Sequence, residues 1–195
     1  IELDRKQPEK KLSFADYKRK ILTQEKIDKG RAMMRRHKGL LEQASARYNV
    51  PPQYIVALWG METNYGGYKG NWGIISALAT LAYEGRRHDF FKGELIKALQ
   101  ILDAGHIQLA QFRGSWAGAM GHNQFMPSSF MAYAVDGNQD GKKDIWNSLP
   151  DVFASTANYL KQNGWRGDER WGREVRLPKN FPARLEGRKN MHSIS

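Results

Sequence analysis

The chain has 195 residues, no cysteine, and 31 Lys and Arg against 20 Asp and Glu, a formal charge of +11. That length suits one domain, or one domain with a small appendage, and is enough to bury a core. The lack of cysteine excludes disulfides and thiolate metal sites without selecting a compartment, and no apolar run approaches the roughly 20 residues of a membrane-spanning helix.

In chain order, Phe14, Tyr17, Ile21 and Leu22 are spaced as on one short helix after a disordered start, giving an N-terminal helical segment over 1–30. Met33, Met34, Leu40, Leu41 and Ala44 continue the helical period to Tyr48, and Asn49 ends it. Val50-Pro51-Pro52 opens the next helix, because proline is tolerated where the amides have no intrahelical partner; this helix should reach about Thr63. Two further helices are predicted over 74–83 and 90–102, separated by the turn Gly85-Arg86-Arg87-His88. Residues 114–124 are dense in Gly and Ala, Pro127-Ser128-Ser129 starts another helix, and 136–144 is an Asp/Asn/Gly loop. Ser148-Leu149-Pro150-Asp151 reads as a capping box for a helix through Leu160. After Trp165 the helical period is lost, and 174–177 is the single strand-like piece. The prediction is a mainly α protein with a core over 31–165 and a partial β-containing segment over 166–195.

The positive charge lies on the flanks. Residues 1–50 hold 14 basic against 7 acidic side chains, 51–165 hold 9 against 9, and 166–195 hold 8 against 4. A nucleic-acid binder concentrates cations on the element that docks, whereas here the motif-rich middle is neutral, so no nucleic-acid partner is expected. The basic stretch 18–38 is either a set of solvated helix faces or an attraction to an anionic polymer or membrane surface. The sequence begins at Ile1 without a charged-then-apolar leader, which leaves a removed targeting segment open.

Glu62 stands out in this neutral region. It shares a helix face with Leu58 and Trp59, four and three residues earlier, and the helix then breaks at Asn64-Tyr65-Gly66-Gly67. A carboxyl among apolar neighbours loses hydration and holds its proton to higher pH, as a general acid requires. A solvated glutamate near a helix end is the other reading. Asp136, Asn138, Asp140 and Gly141 match the first half of a calcium-binding EF-hand loop, with Lys142 at the backbone-ligand position, but Asn147 stands where the bidentate Glu belongs. An Asx-turn loop without metal is the alternative. The five histidines have no metal-ligand spacing, and His122 reads as a packing or solvated residue.

Three stretches together are specific. Val50-Pro51-Pro52 through Gly60-Met61-Glu62-Thr63, Ala77-Leu78-Ala79-Thr80-Leu81, and above all Gly114-Ser115-Trp116-Ala117-Gly118-Ala119-Met120-Gly121-His122-Asn123-Gln124-Phe125-Met126-Pro127-Ser128-Ser129 resemble the membrane-bound B type of lytic murein transglycosylases. Similarity runs from about Phe14 to Trp165. The resemblance implies a lysozyme-like helical core that cleaves the β-1,4 bond between N-acetylmuramic acid and N-acetylglucosamine in peptidoglycan, leaving a 1,6-anhydro sugar. It implies Glu62 as sole acid/base, assisted by the substrate's acetamido group instead of a second carboxylate.

It further implies that Ser115 orients the acetamido group, that Gln124 hydrogen-bonds the sugar and that Phe125 offers a ring face. Arg86 and Arg87 would meet carboxylates of the substrate, and Tyr17, Tyr159 and Phe90 would line the cleft. Gly114, Gly118 and Gly121 either admit the polysaccharide close to the backbone or serve tight packing. The loop over 136–151 would bind structural Ca²⁺ through Asp136, Asn138, Asp140, Lys142 and a closing Asp151. No organic cofactor is implied. The expected partner is the peptidoglycan glycan strand, met by a monomer in the periplasm, with a lipid anchor outside this chain and an outer-membrane association left open. Members of the family continue into a closing Arg-Tyr-Asn-x-Ser segment that nothing in 167–195 matches. A hydrolase of the same glycan and a non-catalytic wall-binding module are the competing readings.

Overall fold

The structure is a computed structural model that describes residues 13–169, 172 and 175–185. It is mainly helical, as predicted. The first helical run is two helices rather than one: α1 (Phe14–Ile21) and α2 (Gln24–Arg36). Thr23 causes the break, since its hydroxyl accepts the Lys26 N–H at 3.2 Å and caps a new helix. Gly30 therefore lies inside α2, buried, rather than at its end. The predicted run to Tyr48 is also divided. Backbone dihedrals leave the helical region at His37, whose ring meets Trp59 and Phe153 edge-on at 5.9 and 6.0 Å, and α3 (Lys38–Tyr48) follows. Asn49 ends α3 in the left-handed conformation, φ 56°, which asparagine tolerates better than most residues.

Helix α4 (Pro52–Thr63) starts and stops where the sequence places it, and Asn64 supplies a second left-handed cap. Strand β1 (Trp72–Gly73) leads into α5 (Ile74–Glu84), which packs on α6 (His88–Asp103). Strand β2 (Arg113–Gly114) pairs antiparallel with β1, Trp72 opposite Gly114 and Gly73 opposite Arg113. Two residues are too few to show alternation, so this ribbon left no periodic signal. Helix α7 (Pro127–Tyr133) packs on α6, and its Ser128 N–H donates to the buried Glu94 carboxylate at 2.8 Å.

Helix α8 (Leu149–Gln162) is the centre of the core. Its residues from Asp151 through Asn158 are all buried, the pattern of a helix covered on every side. Polar members of that stretch are bonded: Ser155 Oγ accepts from Val135 N at 3.0 Å and Asn158 Nδ2 donates to Tyr133 O at 2.9 Å. Around it, Leu41, Val50, Ile55, Trp59, Phe130 and Phe153 form one cluster that joins α3, α4, α7 and α8. The expected capping box is not made, since Ser148 gives no side-chain cap. Asp151 instead turns into the preceding loop, where its Oδ1 accepts from Gly137 N at 2.9 Å and its Oδ2 from Asp144 N at 2.7 Å. A buried carboxylate with two tertiary N–H donors is better satisfied there than by the local motif. Beyond α8, residues 175–178 form no strand and Ala183–Leu185 is a 3₁₀ turn; Glu174 of the strand-like piece lies outside the described residues.

Candidate active site

Glu62 lies on the last turn of α4 at the mouth of a cavity of about 230 Å³. Leu58 and Trp59, its neighbours one turn earlier, line the same cavity, together with His122, Asn123, Gln124, Phe125, Tyr159 and groups from α7 and α8. The residue as a whole is exposed, but its carboxyl loses enough water on the cavity side to raise its pKa above the ordinary glutamate value. Desolvation is the single cause. Among the described residues no cation pairs with this carboxylate, no hydrogen bond holds it, and no second carboxyl lines the cavity. A carboxyl in that setting holds its proton to higher pH than a solvated glutamate.

The loop that faces Glu62 is held by a backbone ladder. Ser115 N donates to Ala119 O at 2.8 Å, and Met120 and Phe125 exchange two bonds, at 2.8 and 3.2 Å. All three glycines of this loop serve packing: a Cβ at Gly114, Gly118 or Gly121 would collide with Ala119 O, Leu78 or Ile145 O respectively. Ser115 Oγ accepts from Ala117 N at 3.3 Å and Ala119 N at 3.0 Å, which leaves its own proton free to donate. It does not line the Glu62 cavity.

Gln124 has φ 48° and anchors its amide through Nε2 to Lys69 O at 3.2 Å and Gly121 O at 3.0 Å. Its carbonyl oxygen is left to accept from a ligand. Phe125 is 8% exposed and stacks with Tyr159 at 5.7 Å and Tyr133 at 6.4 Å. It is core and cavity wall at once. The structure therefore brings Glu62, Gln124, Phe125 and Tyr159 to one cavity, but not Tyr17, Arg86, Arg87 or Phe90. Tyr17 is exposed on α1, Arg86 lies in the turn before α6, and Arg87 stacks over the exposed Phe90 ring at 4.2 Å.

His122, which the sequence left as packing or solvated, is part of the wall. Trp59 Nε1 donates to its Nδ1 at 2.8 Å, and because an indole can only donate, the imidazole proton sits on Nε2. Burial and the nearby Lys69 ammonium lower its pKa to about 4, so the ring is neutral at physiological pH. Lys69 is fixed by a 2.7 Å bond to Trp146 O. Nothing in the local sequence ties Trp59 to His122, which are 63 positions apart.

The loop before α8 has the geometry of its sequence pattern. Asp136 Oδ1 accepts from Gln139 N at 2.6 Å and Oδ2 from Gly141 N at 2.7 Å, with Gly141 at φ 87° where the pattern demands a sharp turn. Asn138 Oδ1 and Asp140 Oδ1 accept from Asp140 N at 3.2 Å and Lys142 N at 2.9 Å. Asp144, at the ninth position, accepts from Trp146 N and Asn147 N, both at 2.9 Å. Among the described residues no three acidic or histidine side chains close in as a metal-binding group, so the EF-hand expectation is not confirmed; the turn bonds fit an Asx-turn loop equally well.

Fold and site together define a lysozyme-like helical domain with Glu62 at the edge of a cavity. The family profile described as "Transglycosylase SLT domain" matches residues 1–195, and the chain belongs to that family. Membrane-bound lytic murein transglycosylase B of Escherichia coli (strain K12) is 37% identical over 181 residues, 92% of this chain and 49% of that protein. SltB3 from Pseudomonas aeruginosa in complex with NAG-NAM-pentapeptide is 47% identical with a TM-score of 0.91, over 95% of this chain and 50% of that one. Its complex with NAG-anhNAM-pentapeptide superposes with the same TM-score, 0.91. Escherichia coli Slt35 in complex with calcium is 37% identical with a TM-score of 0.75, over 79% of this chain and 49% of that one. The chain thus spans about half the length of these relatives.

Proposed function

We propose that this chain carries the acid/base side of a peptidoglycan lytic transglycosylase cleft, with Glu62 as the single proton carrier. The observation that carries the reading is a carboxyl desolvated in a cavity where, among the described residues, neither a cation nor a second carboxyl stands beside it. Protonated Glu62 donates to the glycosidic oxygen as the muramyl C1–O bond breaks, and the substrate's acetamido oxygen stabilises the cationic C1. Glu62, now ionised, takes the proton of the muramyl 6-hydroxyl as O6 bonds to C1. Atoms balance without water, and the acid is regenerated. The ligands NAG-NAM-pentapeptide and NAG-anhNAM-pentapeptide bound to the Pseudomonas aeruginosa relative support both substrate and product.

In this reading Ser115 orients the acetamido group with its free proton, Gln124 accepts a sugar hydroxyl through its carbonyl oxygen, and Phe125 and Tyr159 give the ring an apolar wall. Arg86 and Arg87 receive carboxylates of the peptide stem, with Phe90 and Tyr17 along the approach. The work is done in the periplasm by a monomer. Glu62→Gln removes the titrating proton while keeping shape, so the variant should lose clearing of purified sacculi by at least about a hundredfold and still sediment with them. Unchanged clearing would contradict the assignment of Glu62, and a wild-type chain that sediments without clearing would make it a wall-binding module.

Structural Ca²⁺ in the 136–151 loop belongs to the same proposal. The donors are all oxygens, from Asp136, Asn138, Asp140, the Lys142 carbonyl and Asp151, which suits a hard cation, and Asp151 is wholly buried and accepts from the Gly137 and Asp144 N–H groups. The calcium complex of Slt35 supports it. When bound, the ion would add charge neutralisation that ties α7 to α8. Calcium should raise the melting temperature, and Asp136→Ala should abolish that rise.

A further inference from the structure

A second pocket, of about 170 Å³, lies outside the Glu62 cavity and shares no residue with it. Trp72, Gly73, Ser76, Ala77, Thr80, Leu81 and Trp116 line it. Trp72 is 54% exposed on a two-residue strand, a large apolar surface left in water. Neither its indole N–H nor that of Trp116 has a partner among the described residues, and the Ser76 hydroxyl is equally unengaged. Thr80 donates back to Ser76 O at 2.8 Å, leaving its oxygen free to accept. Among the described residues no charged side chain lines the pocket.

That combination selects a ligand. Two indoles offer faces for the C–H surface of a pyranose and N–H donors for its rim, and the hydroxyls of Ser76 and Thr80 complete a polar edge. A wall without charge disfavours the carboxylates of a peptide stem, which would be desolvated there without a partner. The volume has room for one ring. Position connects the pocket to the cleft: Trp72 pairs with Gly114, Gly114 bridges to Met120, and Met120 bridges to Phe125 in the Glu62 cavity wall. Three such pairings keep the backbones of Trp72 and Phe125 within about 16 Å of each other, a span within reach of a single glycan strand. Trp116 also directly follows Ser115 in the loop facing Glu62.

We propose that the Trp72/Trp116 pocket is an additional saccharide subsite, holding one neutral N-acetylhexosamine ring of the strand whose scissile bond lies at Glu62. This rests on the reading of Glu62 given above. The subsite would favour long strands over disaccharides, since a short ligand can occupy the cleft without reaching Trp72.

Two substitutions in the full 195-residue chain test it. Trp72→Ala removes one wall. Gly73→Leu fills the pocket instead, and it is compatible with the fold because Gly73 has φ −63° and a Cβ there meets only Ser76 Oγ, at 3.8 Å. Calorimetry with peptide-free glycan strands and with the tetramer of N-acetylglucosamine, in the Glu62→Gln background so that ligand is not consumed, should show each variant binding roughly three- to tenfold more weakly. Disaccharide binding should be unchanged. If Trp72→Ala does not fold, Gly73→Leu carries the test alone. Folded variants that bind long strands as tightly as the parent overturn the subsite while leaving Glu62-dependent clearing intact. A pocket that loses free stem peptide instead of sugar overturns it as well, and a parent chain that neither binds strands nor clears sacculi removes the reading of Glu62 along with it.

Discussion

Two titrating residues share one cavity, and their burial acts in opposite directions. Glu62 has a raised pKa, so relative to the unfolded chain its contribution is fully present below the ordinary glutamate value and is lost as pH rises through the raised one. Above that raised value the ionised carboxyl is a small cost, so Glu62→Gln should raise the melting temperature there by about 1–2 °C, a gain that vanishes in acid. For His122, whose pKa is lowered from 6.5 to about 4, stability is present above 6.5 and declines as pH falls toward 4. A His122→Leu variant followed by thermal melts should lose that acid slope; an unchanged slope would assign it to other groups. Activity should also fall on the alkaline side as Glu62 loses its proton, whereas a carboxyl in its ordinary range would place that limb at lower pH.

The same separation of local and tertiary effects holds for whole elements. Helix α4 was legible because its signals are local: two prolines at its start, an apolar run, and asparagine at its end. Asp151 was read as a cap because Ser148 stands three residues before it, yet its partners Gly137 and Asp144 belong to a different loop. Sequence spacing cannot rank a local bond above a tertiary one. Asp151→Ala leaves two N–H groups and a cavity in the core, and should cost about 3 kcal/mol in urea unfolding; a loss below about 1 kcal/mol would return Asp151 to a capping role. Phe153, fully buried in α8, should cost about 3–5 kcal/mol as Phe153→Ala. The β1–β2 ribbon escaped notice because two residues carry no period, although it positions both Trp72 and the Ser115 loop.

At the scale of the molecule, the sequence revealed the helical class and the helix that carries Glu62, because both repeat or interrupt a pattern along the chain. Gln124, Phe125 and Tyr159 of the second wall followed from the family resemblance, but the contacts that hold that wall have no signal along the chain. His122 meets Trp59 across 63 positions and Gln124 meets Lys69 across 55, contacts that exist only once α4 and the 114–125 loop are folded onto α8. In the proposed reaction a hydroxyl of the sugar, not water, attacks C1 after Glu62 gives up its proton. Digestion of peptide-free glycan in water labelled with heavy oxygen, read by mass spectrometry, tests it most directly. Anhydromuramyl ends without label are expected from the wild-type chain and no product from Glu62→Gln; labelled reducing ends, or equal product from both proteins, would overturn the proposed reaction.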